Sequence, residues 1–414
     1  MKTIYFSVIA CLFLLFSCEE KSLEPTSKSL GKPGPVVSST VSTTPIAGGV
    51  VIKYRVPAAE DILEVRAVYT LPNGQQREES ASFYANQLTL EGFNDTIDTN
   101  EHEALLYVVN RAMEKSDPVS VKFNTLTSSL SKAAKTVKIV TGFGGPAFIW
   151  ENPDRATLSF ELLVEDETGT LRPASIQTSP QPFVQYTLRP YEPKPQNFGL
   201  IVRDNWGNAS DIIRPAEGLI TPRVEVLLDK TPMNVLILPA GPGDPKGDSQ
   251  LNAYGTNNRN LINDNIDDFA HMDANVLPEA SFTLDLGVST TVSRVVLHQR
   301  RGLFSGETWY YYSFGNLKTF AVYGSNAATA PSSDWSNWTK IAEFEMIKPS
   351  GIVGDKFTTD DKAAADAGND FDFPQLGAVP YRFLRFQIHT VWNADRYTVT
   401  YVHIGELTVY GTAE

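Results

Sequence analysis

The chain has 414 residues, with 48 acidic and 35 basic side chains and a formal net charge of −13. Hydrophobic residues make up 42% of it, which is enough to bury cores, and the length predicts roughly two to four domains. The acidic excess argues against nucleic-acid binding, which needs clustered lysine and arginine. The two cysteines, Cys11 and Cys18, are too few for a disulfide framework and form no metal-ligand pattern.

The N-terminus has the pattern of a secretory signal. Lys2 precedes an apolar run over residues 8–16, which is shorter than the roughly 20 residues that span a bilayer. Residues 15–18 resemble a bacterial lipobox, in which the cysteine is lipidated and becomes the first residue; the alternative is an ordinary signal peptide with an incidental cysteine. We therefore predict a lipoprotein signal peptide over 1–17, lipidation at Cys18 and a flexible tether over 18–33.

Two similar stretches follow, each of short alternating runs. Residues 48–54 and 144–150 both begin near paired glycines, and each leads to an alternating hairpin, at 63–70 and 158–164. The first hairpin turns at Asn73-Gly74, which supports the positive φ angles of a tight turn. Residues 101–115 have a helix-like composition, but their match to the second copy favours a strand. The repeats resemble fibronectin type III domains, predicted at 34–126 and 137–230, with linkers at 128–135 and 231–247.

The last segment, residues 248–414, has a different pattern. Its first strand, at 281–287, places Phe282, Leu284 and Leu286 on one face. Further strands are predicted at 292–298, 320–325, 338–344, 381–386 and 404–411. The ordered set resembles the factor 5/8 type C (discoidin-like, galactose-binding-like) jelly roll, above all the family 32 carbohydrate-binding module. The predicted fold class is all-β: two tandem immunoglobulin/fibronectin-like β-sandwiches followed by a galactose-binding-like jelly roll.

The resemblance implies a structural calcium ion, held in that family by an early acidic loop and a glutamate of the last strand. The corresponding ligands here are Asn263, Asn265, Asp268 and Glu406. Oxygen donors of this kind suit Ca²⁺, which takes six to eight of them. The loop departs from the family pattern at several positions, so a loop held by Asx turns without a metal is an equal alternative.

The resemblance also implies a sugar site on the loops at one end of the jelly roll. The residues that correspond to the family's binding positions, together with an aromatic-rich loop at 309–312, are His271, Arg300, Arg301, Trp309, Asn316 and Trp392. Planar polar groups match paired sugar hydroxyls, and an aromatic ring matches the apolar face of a sugar. For any one of these residues, core packing or a local ion pair is the competing interpretation.

Catalysis finds little support in the sequence. The acidic stretch from Asp360 to Asp372 looks like a polar loop, and there is no nucleophile elbow or His-Glu-x-x-His motif. The whole pattern resembles surface lipoproteins of Bacteroidota polysaccharide-utilisation loci. That resemblance implies an outer-membrane, lipid-anchored, cell-surface protein that binds a poly- or oligosaccharide without catalysis beside outer-membrane glycan importers. The alternative is an adhesion or assembly protein whose C-terminal domain contacts a protein partner.

Overall fold

A computed structural model describes residues 31–95, 100–273, 276–277, 280–302, 310–375, 377–393 and 398–413. The predicted signal peptide, Cys18, most of the tether and Trp309 lie outside these ranges. The chain divides into two compact units, Met1–Ser131 and Lys132–Glu414. Within the described ranges, no helix has both the length and the apolar character needed to cross a membrane.

Unit 1 is a sandwich of two antiparallel sheets, ordered β1-β2-β5 and β4-β3-β6-β7. Its described strands are β1 (Ser42–Ile46), β2 (Gly49–Lys53), β3 (Ile62–Thr70), β4 (Gln76–Ser82), β5 (Gln87–Glu91), β6 (Glu101–Asn110) and β7 (Val119–Asn124). Alternate side chains of β3, including Val65, Ala67 and Tyr69, are buried, as the period of two along a strand requires. Gly74, with φ of 85°, makes the turn between β3 and β4. Within the segment of helix-like composition at 101–115, residues Glu101–Asn110 form strand β6.

Unit 2 begins within helix α1 (Ser129–Thr136) and continues into a second sandwich, with sheets β12-β9-β8 and β11-β10-β13. Its described strands are β8 (Lys138–Thr141), β9 (Pro146–Glu151), β10 (Ser159–Glu165), β11 (Leu171–Thr178), β12 (Phe183–Thr187) and β13 (Phe198–Arg203). Trp150 of β9 is fully buried and stacks on Phe160 of β10, with ring centroids 4.3 Å apart. This ring pair joins the two sheets at the centre of the sandwich.

The C-terminal part of unit 2 is built on an eight-stranded antiparallel sheet. Its elements, including helix α2, are β14 (Val226–Leu227), β15 (Asn234–Leu236), β16 (Ala270–Met272), β17 (Ala280–Leu297), β18 (Leu317–Ser325), β19 (Thr339–Glu345), α2 (Thr359–Ala367), β20 (Asn369–Asp372), β21 (Tyr381–Val391), β22 (Val402–Ile404) and β23 (Leu407–Ala413). The sheet order is β14-β23-β17-β21-β18-β19, with β15 and β20 also paired to β17. β16 and β22 form a separate two-stranded sheet. The predicted inward residues Phe282, Leu284 and Leu286 are buried in β17.

These sheets confirm the all-β class and the arrangement of sandwiches in tandem. Three segments differ locally from expectation. The predicted linker at 128–135 is largely helix α1, and the acidic loop at 360–372 is helix α2 followed by β20. The proline-rich segment at 231–247 contributes β15 to the C-terminal sheet, because a strand of three residues fits between its prolines.

The second sandwich and the C-terminal sheet meet along a polar contact, which we call the seam. The backbone N–H of Phe143 donates to Oε1 of the buried Gln375 over 3.1 Å. Nη1 of Arg189 lies 2.9 Å from Oδ1 of Asp372, and the Ser293 hydroxyl donates to Glu225 over 2.6 Å. Strand β14, just after the second sandwich, pairs with the last strand β23. Unit 2 is therefore joined by both strand pairing and buried polar contacts.

Candidate functional site

The small β16–β22 sheet places two histidines side by side. His271 and His403 are cross-strand partners in this antiparallel pair, and their ring centroids are 4.3 Å apart. Both side chains are buried, and the Tyr401 ring stacks on His271 at 5.3 Å. Cross-strand neighbours of this kind share one face of a sheet, so the two imidazoles form a single polar patch.

Arg300, which follows the long strand β17, reaches this patch. Its Nη1 donates to Nε2 of His403 over 3.1 Å. The centre of its guanidinium lies 3.8 Å from the Phe269 ring and 3.9 Å from the Tyr310 ring. Two aromatic faces therefore hold the cation in place by cation–π contact.

Together these side chains form what we call the Arg300 cluster. Its members are Tyr254, Phe269, His271, Arg300, Tyr310, Tyr401 and His403. Tyr254 packs edge-on against His271 at 4.8 Å, yet 82% of it is exposed. Its φ of 53° is in the left-handed region, where a bulky residue is under strain. The cluster thus presents an exposed aromatic ring beside buried polar groups.

The electrostatics of the cluster follow from burial. Burial lowers the pKa of His403 well below its usual range, and the nearby Arg300 and His271 lower it further. The pKa of His271 is also lowered, mainly by burial. Both imidazoles are therefore neutral at pH 7, and the Nδ1 atom of His403 is buried without a hydrogen-bond partner in the described part of the chain. With no acidic member, the cluster offers one guanidinium cation and two neutral imidazoles as hydrogen-bonding groups.

Asn316 supports this arrangement from within the core. Its Oδ1 accepts the backbone N–H of Arg300 over 2.8 Å, and its Nδ2 donates to the carbonyl oxygens of Arg300 and Tyr310. The side chain is fully buried. Asn316 therefore positions the backbone on both sides of Arg300, and its amide is already occupied by these bonds.

The other predicted sugar-site residues lie apart from the cluster. Arg301 binds carboxylates on Asp267 (2.8 Å) and Asp366 (3.0 Å), a local ion-pair role. The Trp392 ring packs edge-on against Tyr312 and lines a separate cavity of about 500 Å³. Trp309 is outside the described residues. The structure thus brings together His271 and Arg300, with Asn316 behind them.

The predicted calcium ligands lie close in space but are already bonded. The Asn263 Nδ2 donates to Asp268 over 2.9 Å, and the side-chain oxygens of Asn263 and Asn265 accept backbone N–H groups two residues ahead. Glu406 is buried against the ammonium group of Lys230. Among the described residues no group of three or more His, Cys, Asp or Glu side chains forms a cation-binding geometry. The residues as arranged do not fit a calcium ion, and bound calcium stays a prediction from the sequence.

The acidic stretch has structural partners. Asp366 pairs with Arg301 and Lys362, Asp370 with Arg294, and Asp372 with Arg189. A further aspartate, Asp361, closes the N-terminal capping box of α2. These carboxylates therefore hold the helix and its surroundings in place.

Tyr310 belongs to the aromatic-rich loop at 309–312, but four other members of the cluster were not selected from the sequence: Tyr254, Phe269, Tyr401 and His403. The sequence did contain a signal for His403. In both 269–272 and 401–404 an aromatic residue is followed two positions later by a histidine. Alternate positions of paired strands fall on one face, so this match could have predicted the two histidines together. Tyr254, in an irregular turn, carried no comparable signal.

Three families of domains match the chain in succession. A domain of unknown function (DUF4959) matches residues 33–125, a second (DUF5126) matches 126–231 and a third (DUF5000) matches 256–411. None of the curated proteins matches the sequence.

Among solved structures, the chain is similar to a SusE-like protein, BT2857, at 26% identity and a TM-score of 0.42, covering 68% of this chain and 98% of that one. It is also similar to the CBM32-1 and CBM32-2 domains of Clostridium perfringens ZmpB in complex with GalNAc. That match has 7% identity, a TM-score of 0.26 and coverage of 78% and 83%. A two-domain fibronectin type III segment of chicken tenascin matches at 18% identity and a TM-score of 0.21, covering 46% of this chain and 99% of that one.

Proposed function

We propose that this chain binds glycan without catalysis at the Arg300 cluster. The observation that carries the proposal is the combination of an exposed aromatic ring, Tyr254, with the half-buried guanidinium of Arg300, behind which two neutral imidazoles lie. A sugar ring offers an apolar face for the aromatic side chain and adjacent hydroxyls for the planar polar groups. The His403 imidazole accepts a hydrogen bond from Arg300 and so orients the guanidinium, whose remaining N–H groups can donate to sugar hydroxyls.

We further propose that the protein works as a lipid-anchored lipoprotein of the outer membrane, exposed on the cell surface through Cys18. Support comes from the lipobox-like residues 15–18 and the tether that follows them. In this setting a weak site is sufficient, because many anchored copies act together on one polysaccharide chain. Glycan importer proteins of the same membrane are the partners that this role implies.

The test is retention of the mature chain in native gels that contain soluble polysaccharides, followed by titration with the best ligand. Tyr254→Ala is expected to weaken binding about five- to tenfold, because one stacking surface is lost. Arg300→Lys is expected to weaken binding at least about tenfold, since lysine keeps the charge but loses the planar fork. Tyr84→Ala is the matched control, because Tyr84 is an 84% exposed tyrosine in unit 1.

Two results would contradict the proposal. Unchanged affinity in both cluster variants would place the glycan site elsewhere, and the Trp392 cavity would be the next candidate. Failure to bind any polysaccharide or glycan array would remove glycan binding altogether. It would favour the alternative of a protein partner, for which the exposed apolar residues Ile347, Ile352 and Val353 beside Trp392 are the supporting observation.

A further inference from the structure

A buried carboxylate stands where the fold resemblance places a metal-binding glutamate. Glu406, between β22 and β23, has 1% of its surface exposed. A charged group removed from water to this degree requires a nearby opposite charge or several hydrogen bonds. We therefore expect a cation in direct contact with the Glu406 carboxylate.

Lys230 supplies that charge. Only 8% of this lysine is exposed, and its Nζ donates to Oε1 of Glu406, to Oδ1 of Asp264 (2.7 Å) and to the hydroxyl of Thr408 (3.1 Å). An ammonium group has three N–H donors and no acceptor. All three donors therefore have an oxygen partner, and two of those partners are carboxylates.

The backbone that carries Lys230 is fixed at this place. The guanidinium of Arg259 donates to the carbonyl oxygens of Lys230 (3.2 Å) and Met233 (2.7 Å). The neighbouring Leu228 N–H donates to Val409 of the last strand over 3.0 Å. These bonds hold Lys230 beside the loop over residues 263–268. Lys230 itself precedes both this loop and Glu406 in the sequence.

We infer that the Lys230 ammonium group is the permanent cation of this site and takes the place of a bound divalent metal. It joins the same two parts of the chain that a metal would join, the loop over 263–268 and the Glu406 segment. Two further loop oxygens, Oδ1 of Asn263 and Oδ1 of Asn265, accept backbone N–H groups within the loop. A divalent ion would have to displace an ammonium that already has three oxygen partners.

The first experiment needs no variant. Thermal unfolding of the mature chain is recorded after treatment with EDTA and again with millimolar CaCl₂. The expected result is the same Tm within about 1 °C, because only a ligand that binds the folded state raises Tm. A rise of several degrees with calcium, reversed by EDTA, would overturn the inference.

The second experiment tests the charge itself. Lys230→Met removes the ammonium and keeps most of the side-chain volume, and it is expected to lower Tm by roughly 5–15 °C because Glu406 is left buried without a cation. Adding Glu406→Gln to this variant is expected to recover part of the loss, since the uncompensated charge disappears. Lys340→Met is the matched control at the exposed pair with Glu343 (2.8 Å) and is expected to change Tm by less than about 2 °C. A double variant that is no more stable than Lys230→Met alone would contradict the pairing.

Discussion

At the scale of single residues, the Arg300 cluster combines neutral histidines with one cation. His403 is the more buried of the pair, and its pKa is lowered by burial first and then by Arg300 and His271. A histidine whose pKa is lower in the folded state than in the unfolded chain binds its proton only on unfolding. Its contribution to stability is therefore complete above the unfolded pKa near 6.5 and falls as the pH drops below it.

We expect the free energy of unfolding of unit 2 to rise between pH 5 and pH 7. One histidine that takes up a full proton on unfolding gives a slope of about 1.4 kcal/mol per pH unit below pH 6.5. The His403→Gln variant removes the titrating ring, so its slope in this range is expected to be smaller. Urea unfolding at half-unit steps of pH measures the slope, and equal slopes in the two proteins would contradict a neutral buried His403.

At the scale of elements, helix α2 is fixed at its N-terminus by one carboxylate. Asp361 is fully buried; it accepts the Thr358 N–H (2.8 Å), the Ser350 N–H (2.8 Å) and the Ser350 hydroxyl (2.7 Å). Burial alone raises the pKa of Asp361, but these hydrogen bonds outweigh burial and hold the pKa below its usual value. The carboxylate therefore joins the helix to the loop that precedes it, and its contribution is lost as the pH falls below about 4.

The variant Asp361→Asn is expected to lower the free energy of unfolding by about 2–3 kcal/mol. The amide keeps one oxygen acceptor but turns an NH₂ group toward donors that need an acceptor. Asp360→Asn, on the exposed side of the same turn, is the matched control and is expected to stay within about 0.5 kcal/mol of the parent. Chemical unfolding curves give the free energy of unfolding of each variant. A similar loss in both would mean that the helix depends on the negative charge of its first turn and not on the buried hydrogen bonds of Asp361.

At the scale of the whole molecule, the C-terminal sheet is not confined to the last segment of the chain. Strands β14 and β15 come from residues 226–236, and the buried Leu228, Met233 and Val235 belong to the C-terminal core. The seam adds the bond from Phe143 to Gln375 and the ion pair of Arg189 with Asp372. A complete C-terminal fold therefore depends on residues that precede it by many positions.

Fragments should reveal this dependence. We expect residues 132–414 to unfold cooperatively, whereas residues 248–414 lack strands β14 and β15, Lys230 and four buried hydrophobic side chains, those of Leu228, Met233, Val235 and Leu238. The shorter fragment is expected to melt at least about 10 °C lower or to show no cooperative transition. A fragment of residues 222–414 restores the strands and the Ser293–Glu225 bond but lacks the seam contacts of Phe143 and Arg189, so it should melt between the other two fragments. Calorimetry or circular dichroism measures the transitions. Equal melting temperatures for residues 132–414 and residues 248–414 would contradict the dependence of the C-terminal fold on the earlier residues.

The sequence predicted the regular parts of this architecture well. In β17 the alternation of Phe282, Leu284 and Leu286 is visible along the chain, because a strand with a buried face repeats every two residues. The capping box from Thr358 to Asp361, followed by alanines, could have identified α2, yet the many acidic residues favoured a loop interpretation.

The candidate site was predicted less completely, since it depends on contacts between distant segments. His271 and Arg300 were selected, but the contact of Lys230 with Glu406 joins residues 176 positions apart, and neither residue carries a local sign of it. The prolines of residues 231–247 indicated a linker because proline is rare inside strands, and a three-residue strand gives almost no periodicity. The pairing of Lys230 with Glu406 and the inclusion of β15 in the C-terminal sheet therefore depend on tertiary contacts that the local sequence does not reveal.

The position of β23 also determines when the fold can be completed. β23 pairs with both β14, which lies nearly two hundred residues earlier in the chain, and the central β17. Until β23 has been synthesised, β14 has no partner strand among the described residues. Completion of this sheet must therefore follow synthesis of β23. Its rate should be governed by the closing of a loop of nearly two hundred residues, which is a slow class of folding event.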